Sequence, residues 1–430
     1  MRTRISAAAA LAAGVVASSM WATNAAAALP FPYTVQLQAR ASVGTGATTF
    51  NLPAGSSFSS NTPDINNNRQ VTFKVITSGT TGRQGIWYGQ ANAANSFGSG
   101  GVLTNATDAN ASLSDPMINV PGDVVWPQTS GSTGNGIWKY TAATNVSNLF
   151  SNGPLGASSW SAVRINNVGQ VGSRVSFSGN NAYVSYDTSA TTAVHAAEVG
   201  ADSTSPYSFL FTPNFDDNRN LYGVVRVGPS GSSGDATRPD QLRRFPNGGV
   251  SSIIVEDRDS NAGSPYFQFD ATAPGVSDDG NWVAFIARTT TAASSRSVFL
   301  VNSSGTVTKT IAVPGTGLTS IDNFSPAVND AGVVTFRATD LSGKISVFVG
   351  DGTSLQRIIG VGDTVHTDIG DFAINSMGGN PTINELGDVA FGGGLGSGGN
   401  FIAVAMVPEP GMIGAGCVIC AALMARRRAR

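Results

Sequence analysis

The stretch Pro326-Ala327-Val328-Asn329-Asp330-Ala331-Gly332-Val333-Val334-Thr335-Phe336 predicts two short strands joined by a tight turn. Val334 and Phe336 fall on one face of the second strand, with the period of two that a half-buried strand shows. Asn329 and Gly332 supply the turn, because an asparagine side chain hydrogen-bonds nearby backbone and glycine takes a positive φ without strain.

This β-hairpin unit occurs seven times along the chain. The other six copies are residues 65–73, 118–126, 165–171, 215–221, 276–285 and 383–391. The position of the turn glycine recurs at intervals of 47 to 61 residues. A period near fifty residues indicates the blades of a propeller or the coils of a solenoid. Further strand-like stretches follow most copies, as at residues 347–349 and 357–359, which makes about four strands per unit.

The two ends of the repeat region distinguish a ring from a linear solenoid. The last copy ends after a strand at residues 401–404, whereas an unpaired strand at residues 33–38 precedes the first copy. We therefore predict an all-β chain that forms a β-propeller of seven four-stranded blades, with the N-terminal strand completing the last blade. A closed ring leaves only short, protected edges.

Some copies depart from the pattern. Arg69 and Arg219 replace the turn glycine, which predicts strained left-handed backbone at both positions. The fifth copy has one extra residue before Phe285, which predicts a β-bulge. Gly172 and Gly223 stand where bulk is expected in the third and fourth copies. If any blade is distorted, we expect it to be the third or the fourth, and a count of six blades stays open.

Composition excludes some functions. The chain has a formal net charge of −2, and only 12% of its residues are charged. With no basic stripe to neutralise phosphates, nucleic acid is not expected as a partner. Both cysteines, Cys417 and Cys420, lie near the C-terminus, so the repeat region has no disulfide.

Residues 1–28 predict a secretory signal peptide. Arg2 and Arg4 precede the apolar run at residues 5–20, and the small residues 24–28 offer a cleavage site for signal peptidase. Export of the repeat region, residues 29–406, is therefore expected.

Residues 407–430 predict a second targeting segment. Val407-Pro408-Glu409-Pro410 precedes the apolar stretch 411–425, and a basic cluster ends the chain: Arg426, Arg427, Arg428 and Arg430. As a short hydrophobic transmembrane helix, the stretch would span roughly 22 Å of a ~30 Å hydrocarbon core, so it inserts only marginally. The arginines place the C-terminus in the cytoplasm and the body outside. An ordinary membrane anchor stays open as an alternative.

This order of parts resembles the bacterial PEP-CTERM sorting signal. The resemblance implies recognition by an exosortase-type transpeptidase, cleavage near residues 408–410, and release to, or attachment at, the cell surface. The repeats resemble a family of secreted bacterial proteins with NxxGxxAF tandem repeats, and residues 276–285 are similar to the blade motif of TolB-type propellers. Neither resemblance carries an activity.

No catalytic, cofactor-binding or metal-binding motif stands out. His195 and His366 are far apart in sequence, and no Gly-x-Ser-x-Gly elbow frames a serine. Residues 256–263 resemble a calcium loop in part, but the glycine comes one residue late. We therefore expect a non-catalytic surface or extracellular-matrix protein that binds a glycan or a protein. A propeller hydrolase or lyase acting on polysaccharide is the alternative, with carboxylates converging near the central channel from separate blades.

Overall fold

The computed structural model describes residues 29, 31–41, 48–58, 62–77, 84–152, 156–231 and 234–408, and these form a seven-bladed β-propeller. Neighbouring strands within each blade are antiparallel. The seven-blade prediction is confirmed. The predicted signal peptide and the C-terminal hydrophobic helix lie outside the described residues.

The described residues form 34 strands. They are β1 (Thr34–Ala41), β2 (Asp64–Ile65), β3 (Gln70–Ile76), β4 (Gln84–Gln90), β5 (Ser99–Asn105), β6 (Ser112–Leu113), β7 (Met117–Ile118), β8 (Val124–Thr129), β9 (Gly136–Thr141), β10 (Val146–Ser151), β11 (Ser159–Ile165), β12 (Val171–Phe177), β13 (Asn180–Tyr186), β14 (Thr192–Ala197), β15 (Tyr207–Leu210), β16 (Asn214–Phe215), β17 (Leu221–Val227), β18 (Asp240–Phe245), β19 (Ser252–Glu256), β20 (Gln268–Phe269), β21 (Gly275–Val276), β22 (Trp282–Arg288), β23 (Arg296–Asn302), β24 (Thr308–Ala312), β25 (Leu318–Ile321), β26 (Ala327–Val328), β27 (Val334–Asp340), β28 (Ile345–Gly350), β29 (Leu355–Gly360), β30 (Thr364–Thr367), β31 (Gly370–Ala373), β32 (Ser376–Ile383), β33 (Val389–Gly394) and β34 (Asn400–Met406). Two 3-10 turns complete the set, at Ala293–Ser295 and Gly396–Gly398.

Each blade takes a continuous part of the chain except the last. Blades 1 to 6 comprise β2–β5, β6–β10, β11–β14, β15–β19, β20–β24 and β25–β29. Blade 7 has the order β1-β34-β33-β32, and β30 and β31 form a separate hairpin between blades 6 and 7. In blades 2, 4, 5 and 6 the innermost strand is interrupted into two short strands.

The N-terminal strand closes the ring as predicted. β1 pairs with β34 in antiparallel register from Thr34↔Met406 to Ala41↔Asn400. Its outer edge is covered, because Arg40 and Phe50 exchange backbone hydrogen bonds of 3.1 and 2.9 Å. This cover removes an edge that another chain could extend.

The tight turns follow the repeat closely. The residue at the glycine position has a positive φ in every copy: Arg69, Gly122, Gly169, Arg219, Gly280, Gly332 and Gly387. The two arginines therefore adopt the strained left-handed conformation that the sequence predicted, with φ of 60° and 63°. We call the side of the ring that carries these seven turns the turn face.

Blades 3 and 4 keep the strand order of the other blades, although β11 has a register shift against β12 between Ser161 and Arg164 and blade 4 has its innermost strand in two pieces. Their glycines make room for aromatic side chains of the neighbouring blade. A Cβ on Gly172 would lie 2.5 Å from the ring of Phe215, and one on Gly223 would lie 2.3 Å from the hydroxyl of Tyr183. The missing bulk is supplied from the adjacent sheet.

The extra residue of the fifth copy does not form a bulge. β22 pairs with β21 and β23 without a register shift. The residue lengthens the turn instead, since Ser277 N–H bonds the carbonyl of Trp282, five residues on. In the other copies this bond spans four residues, as from Asn329 to Val333. The predicted bulge is therefore corrected to a longer turn.

Apolar side chains fill the spaces between adjacent blades. One cluster joins Phe336 and Phe348 of blade 6 to Ala284 and Leu300 of blade 5. Aromatic rings stack in pairs across β27 and β28, with 5.8 Å between the ring centres of Phe336 and Phe348. Within the described ranges, no helix has the length and apolar character needed to span a bilayer.

Candidate functional site: the central channel

The innermost strands surround a central channel that holds a cavity of about 130 Å³. Inward-facing residues of successive strands lie in tiers, because alternate residues of a strand share a face. The tier at the turn face is formed by the second residue of the turns. Five of these residues line the cavity, namely Asn67, Val120, Asn167, Asp278 and Glu385, and Asp217 and Asp330 occupy the same position in their own turns. Asp64 and Arg164 line the channel beneath it.

In the five turns that begin with asparagine, this first residue links its blade to the next one. In Asn384, Oδ1 accepts the N–H groups of Leu386 and Asp388 at 3.1 and 2.9 Å and closes its own turn. Its Nδ2 donates to the carbonyl of Asn66 in blade 1 at 3.0 Å. Equivalent bonds to the next blade run from Asn66, Asn119, Asn166 and Asn329. One asparagine therefore stabilises both the turn and the ring.

A second circle of bonds uses the channel tier. The N–H of Val120 donates to Asn167 Oδ1 at 2.9 Å, and the N–H of Glu385 donates to Asn67 Oδ1 at 2.8 Å. In blade 7 the acceptor is a carboxylate: Glu385 Oε2 accepts the N–H of Asp330, from blade 6, at 2.7 Å. Amide and carboxylate oxygens thus fill equivalent positions.

Five carboxylates concentrate on one side of this mouth, and we call them the acidic ring: Asp217, Asp278, Asp279, Asp330 and Glu385. Burial raises the pKa of Glu385 to about 8, and the charge of Asp330 adds to the shift. Burial likewise raises the pKa of Asp278 to about 6, with the charge of Asp217 contributing. Asn167 Nδ2 donates to both Asp217 and Asp278, at 2.9 and 3.0 Å. Burial also raises the pKa of Asp330 to about 6, with the charge of Asp279 contributing.

Deeper in the channel lies a mixed charge group. Arg164 Nε donates to Asn214 Oδ1 at 3.2 Å, and its Nη1 contacts the sulfur of Met117. Asp64 Oδ2 accepts the N–H of Ile118 at 2.9 Å, which joins blades 1 and 2. Burial raises the pKa of Asp64 and lowers that of Arg164.

His195 lies away from the channel, on the outer strand β14. Its Nδ1 donates to the carbonyl of Pro246 at 3.2 Å, and its Nε2 lies 2.7 Å from Ser185 Oγ. Ser185 is fully buried, and its hydroxyl also accepts a bond from Arg219 Nε at 2.9 Å. The pair therefore braces blades 3 and 4 and presents no accessible nucleophile.

His366 lies in β30 of the hairpin β30–β31. Its Nδ1 is 2.6 Å from Asp371 Oδ1, on the protein surface. The two histidines do not come together.

The partial calcium loop at residues 256–263 is closed by its own hydrogen bonds. Asp257 Oδ1 accepts the N–H of Ser260 at 2.9 Å, and Oδ2 accepts the N–H of Asp240 at 3.1 Å. Among the described residues, no group of three or more histidine, cysteine, aspartate or glutamate side chains is placed to hold a metal ion.

Of the predicted sorting residues, Val407 and Pro408 are described, whereas Glu409, Pro410, Arg426, Arg427, Arg428 and Arg430 lie outside the described residues. Val407 N–H donates to Asp388 Oδ1 at 2.8 Å, and its carbonyl accepts from Arg69 Nη2 at 2.9 Å. Arg69 also pairs with the fully buried Asp388 at 2.8 Å. The chain thus leaves the propeller from a fixed point on the turn face.

The acidic ring was not recognised as a site from the sequence. Asp216, next to Asp217, caps its own turn, since Oδ1 accepts the N–H of Asn220 at 2.7 Å. The missed signal was positional: aligning the seven turns puts the second residue of each at the channel.

Comparisons with known proteins support the fold and leave the activity open. A model for a family described as a family of unknown function (DUF7453) matches residues 278–407, which fall in blades 5 to 7. No curated protein matches the chain. A solved oligogalacturonate lyase in complex with manganese is similar over 89% of this chain and 97% of its own, with a TM-score of 0.54 and 11% identity. An oligogalacturonate lyase from Vibrio parahaemolyticus is similar over 87% of this chain and 98% of its own, with a TM-score of 0.52 and 12% identity. At such identities the likeness concerns the propeller fold alone.

Proposed function

We propose that this protein is an exported, non-catalytic β-propeller that an exosortase-type system sorts to the cell envelope. There it binds a glycan or a protein of the extracellular matrix. The observation that carries the proposal is the use of the channel-mouth side chains. Asn67, Asn167, Asp217 and Glu385 all accept backbone hydrogen bonds from a neighbouring blade, as a scaffold requires.

The arrangement of the chain ends supports tethering through one face. Thr34 pairs with Met406, and Tyr33 donates its hydroxyl hydrogen to the carbonyl of Gly387 at 3.1 Å. Both ends of the propeller therefore lie side by side on the turn face. Signal peptidase would remove residues 1–28, and the transpeptidase would act on residues 407–430. The rest of the ring is then free to meet an extracellular ligand.

The test is a binding assay on mature protein purified from the producing culture. Native affinity electrophoresis in gels that contain extracellular polysaccharide from the same culture reports glycan binding as retarded migration. A parallel pull-down reports protein partners from the matrix. We expect retention by one of these, with no shortening of the polysaccharide. Free migration together with an empty pull-down contradicts the proposal.

A polysaccharide hydrolase or lyase is the second candidate, because Glu385 has a pKa of about 8 at the channel mouth. A carboxyl group that holds its proton at neutral pH can act as a general acid. New reducing ends would indicate hydrolysis, and unsaturated ends would indicate elimination. Loss of either product in Glu385→Gln, which keeps the hydrogen-bond acceptor, would favour the enzyme over the scaffold.

A further inference from the structure

The hairpin β30–β31 is an addition to the propeller. It follows β29 and precedes β32, and it is the separate two-stranded sheet in the described part of the chain. It packs against β1, near the end of that strand where Arg40 pairs with Phe401. This end is about 20 Å along the strand from Thr34, where the chain ends meet. The hairpin is therefore remote from the tethered turn face.

The hairpin is held rigidly. Asp368 at its tip forms a two-pronged ion pair with Arg40, with both N–O distances at 2.8 Å. Arg40 is 1% exposed, and its Nη1 also donates to the carbonyls of Thr48 and Gly398. Such a fork fixes the guanidinium and the carboxylate relative to each other. Side chains on the hairpin therefore keep a fixed position relative to blades 7 and 1.

Three side chains form an exposed surface there, which we call the His366 platform: Phe97, His366 and Asp371. The imidazole ring stacks on Phe97 with 5.4 Å between ring centres and an angle of 13° between the planes. His366 and Asp371 each remain 66% exposed. Since one face of the imidazole rests on Phe97, its opposite face is open to solvent.

The hydrogen-bonding groups of the platform are only partly used. His366 Nδ1 bonds Asp371 Oδ1, which orients the ring. Within the described ranges, His366 Nε2 and Asp371 Oδ2 have no hydrogen-bond partner. A flat open ring beside a fixed carboxylate is thus presented to solvent. Phe50 packs edge-on against Phe97, with 5.4 Å between ring centres, and supports the stack from below.

We propose that the His366 platform binds a neutral hexose unit of an extracellular glycan. The apolar face of a pyranose ring packs on a flat aromatic surface, as other apolar groups do on π systems. Asp371 accepts hydrogen bonds from sugar hydroxyls, and bonds to an ionised acceptor are the stronger kind. The carboxylate disfavours an acidic sugar. This inference rests on the proposed function and assigns its glycan site.

The test measures glycan affinity of the mature protein and of three variants. Native affinity electrophoresis uses soluble galactan, glucan and mannan as neutral probes and a polyuronate as the charged comparison. The variants are His366→Ala, Asp371→Asn and the matched control Thr364→Ala, which is exposed on the same hairpin. Thermal unfolding of each variant verifies that the fold is kept.

We expect wild type to bind at least one neutral glycan more tightly than the polyuronate. His366→Ala and Asp371→Asn should each weaken that binding roughly tenfold, which corresponds to about 1.4 kcal/mol, and Thr364→Ala should stay within twofold. Unchanged affinity in all three variants overturns the assignment while the proposed function stands. Absence of binding by wild type to every glycan overturns the assignment, and the pull-down then decides whether protein binding sustains the proposed function.

Discussion

At the scale of single residues, the repeat is explained by what its asparagine contacts. Five of the seven turns begin with asparagine, and each of these closes its own turn and reaches the next blade, as Asn384 does. Aspartate or serine begins the other two turns, at Asp216 and Ser277. In the turn that begins at Asp216, the N–H of Asp217 donates to the carbonyl of Asp278 at 2.8 Å and so links blade 4 to blade 5.

Asn384→Ala should lower the free energy of unfolding by about 3 kcal/mol, because two backbone N–H groups and the carbonyl of Asn66 lose their partner. Asn384→Asp keeps the acceptor oxygen but places a second carboxylate against the buried Asp388, to which Nδ2 donates at 3.1 Å, so its loss should be larger. Chemical denaturation measures both, with the exposed Asn148→Ala as control. A smaller loss in Asn384→Asp than in Asn384→Ala would contradict this prediction.

The two left-handed arginines should respond differently to glycine. Arg69→Gly relieves strain but leaves Asp388 buried without its ion pair, so a loss of about 3 kcal/mol is expected. Arg219 contacts neutral oxygens of Ser185 and Thr191, and Arg219→Gly should range from neutral to about 1 kcal/mol more stable. Chemical denaturation of both variants measures the change in the free energy of unfolding. An equal change in Arg69→Gly and Arg219→Gly would contradict this prediction.

The pKa of Glu385 predicts a pH dependence of stability. The folded chain holds this proton up to a pKa of about 8, well above its ordinary value of 4.5. Between these values the folded state binds more protons than the unfolded state, so the contribution is present at low pH and is lost as pH rises towards 8. The free energy of unfolding of Glu385→Gln should therefore equal that of wild type near pH 4.5 and exceed it near pH 8.

The expected difference above pH 8 is about 2 kcal/mol, after the shift is discounted for solvent screening of this half-buried group. Thermal unfolding across this range, with the exposed Asp259→Asn as control, provides the measurement. A wild-type-to-variant difference that does not change with pH contradicts the assigned shift.

At the scale of elements, the closing strand holds the ring together. Leu37 in β1 is 1% exposed and belongs to a cluster that includes Phe391 and Phe401 of blade 7. Leu37→Ala should cost about 3 kcal/mol, whereas Val307→Ala, at a site that is 45% exposed, should change little. Hydrogen exchange should show β1 and β34 losing protection together. Fast exchange confined to β1 would contradict closure by this strand.

The sequence predicted the elements well where local chemistry decides them. The positive φ at Arg69 and Arg219 and the pairing of residues 33–38 with the last blade are confirmed, because turn geometry and an unpaired strand are local signals. The packing around the glycines of blades 3 and 4 was not predictable, since Phe215 and Tyr183 fill those spaces from neighbouring sheets. The hairpin β30–β31 was missed because it stands outside the repeat.

At the scale of the molecule, the sequence predicts the candidate site only in part, because the site depends on contacts between distant residues. Asp217, Asp278, Asp330 and Glu385 are tens of residues apart, and only ring closure brings them to one mouth. The sequence therefore predicted that carboxylates from separate blades could converge near the channel, but not which ones. Export and sorting rest on the ends of the chain, and they stay predictions.

The central claim of the account is that the propeller is exported and sorted through its C-terminal segment. The direct test compares full-length protein with a truncation after Pro408, which keeps the contacts of Val407 with Arg69 and Asp388. Cells are fractionated, and the intact mass of each product is measured. We predict that the full-length product, without residues 1–28 and cleaved near residues 408–410, is found in the envelope or outside the cell, and that the truncated protein fails to attach. An intact chain from Met1 to Arg430 in the cytoplasm would contradict the claim.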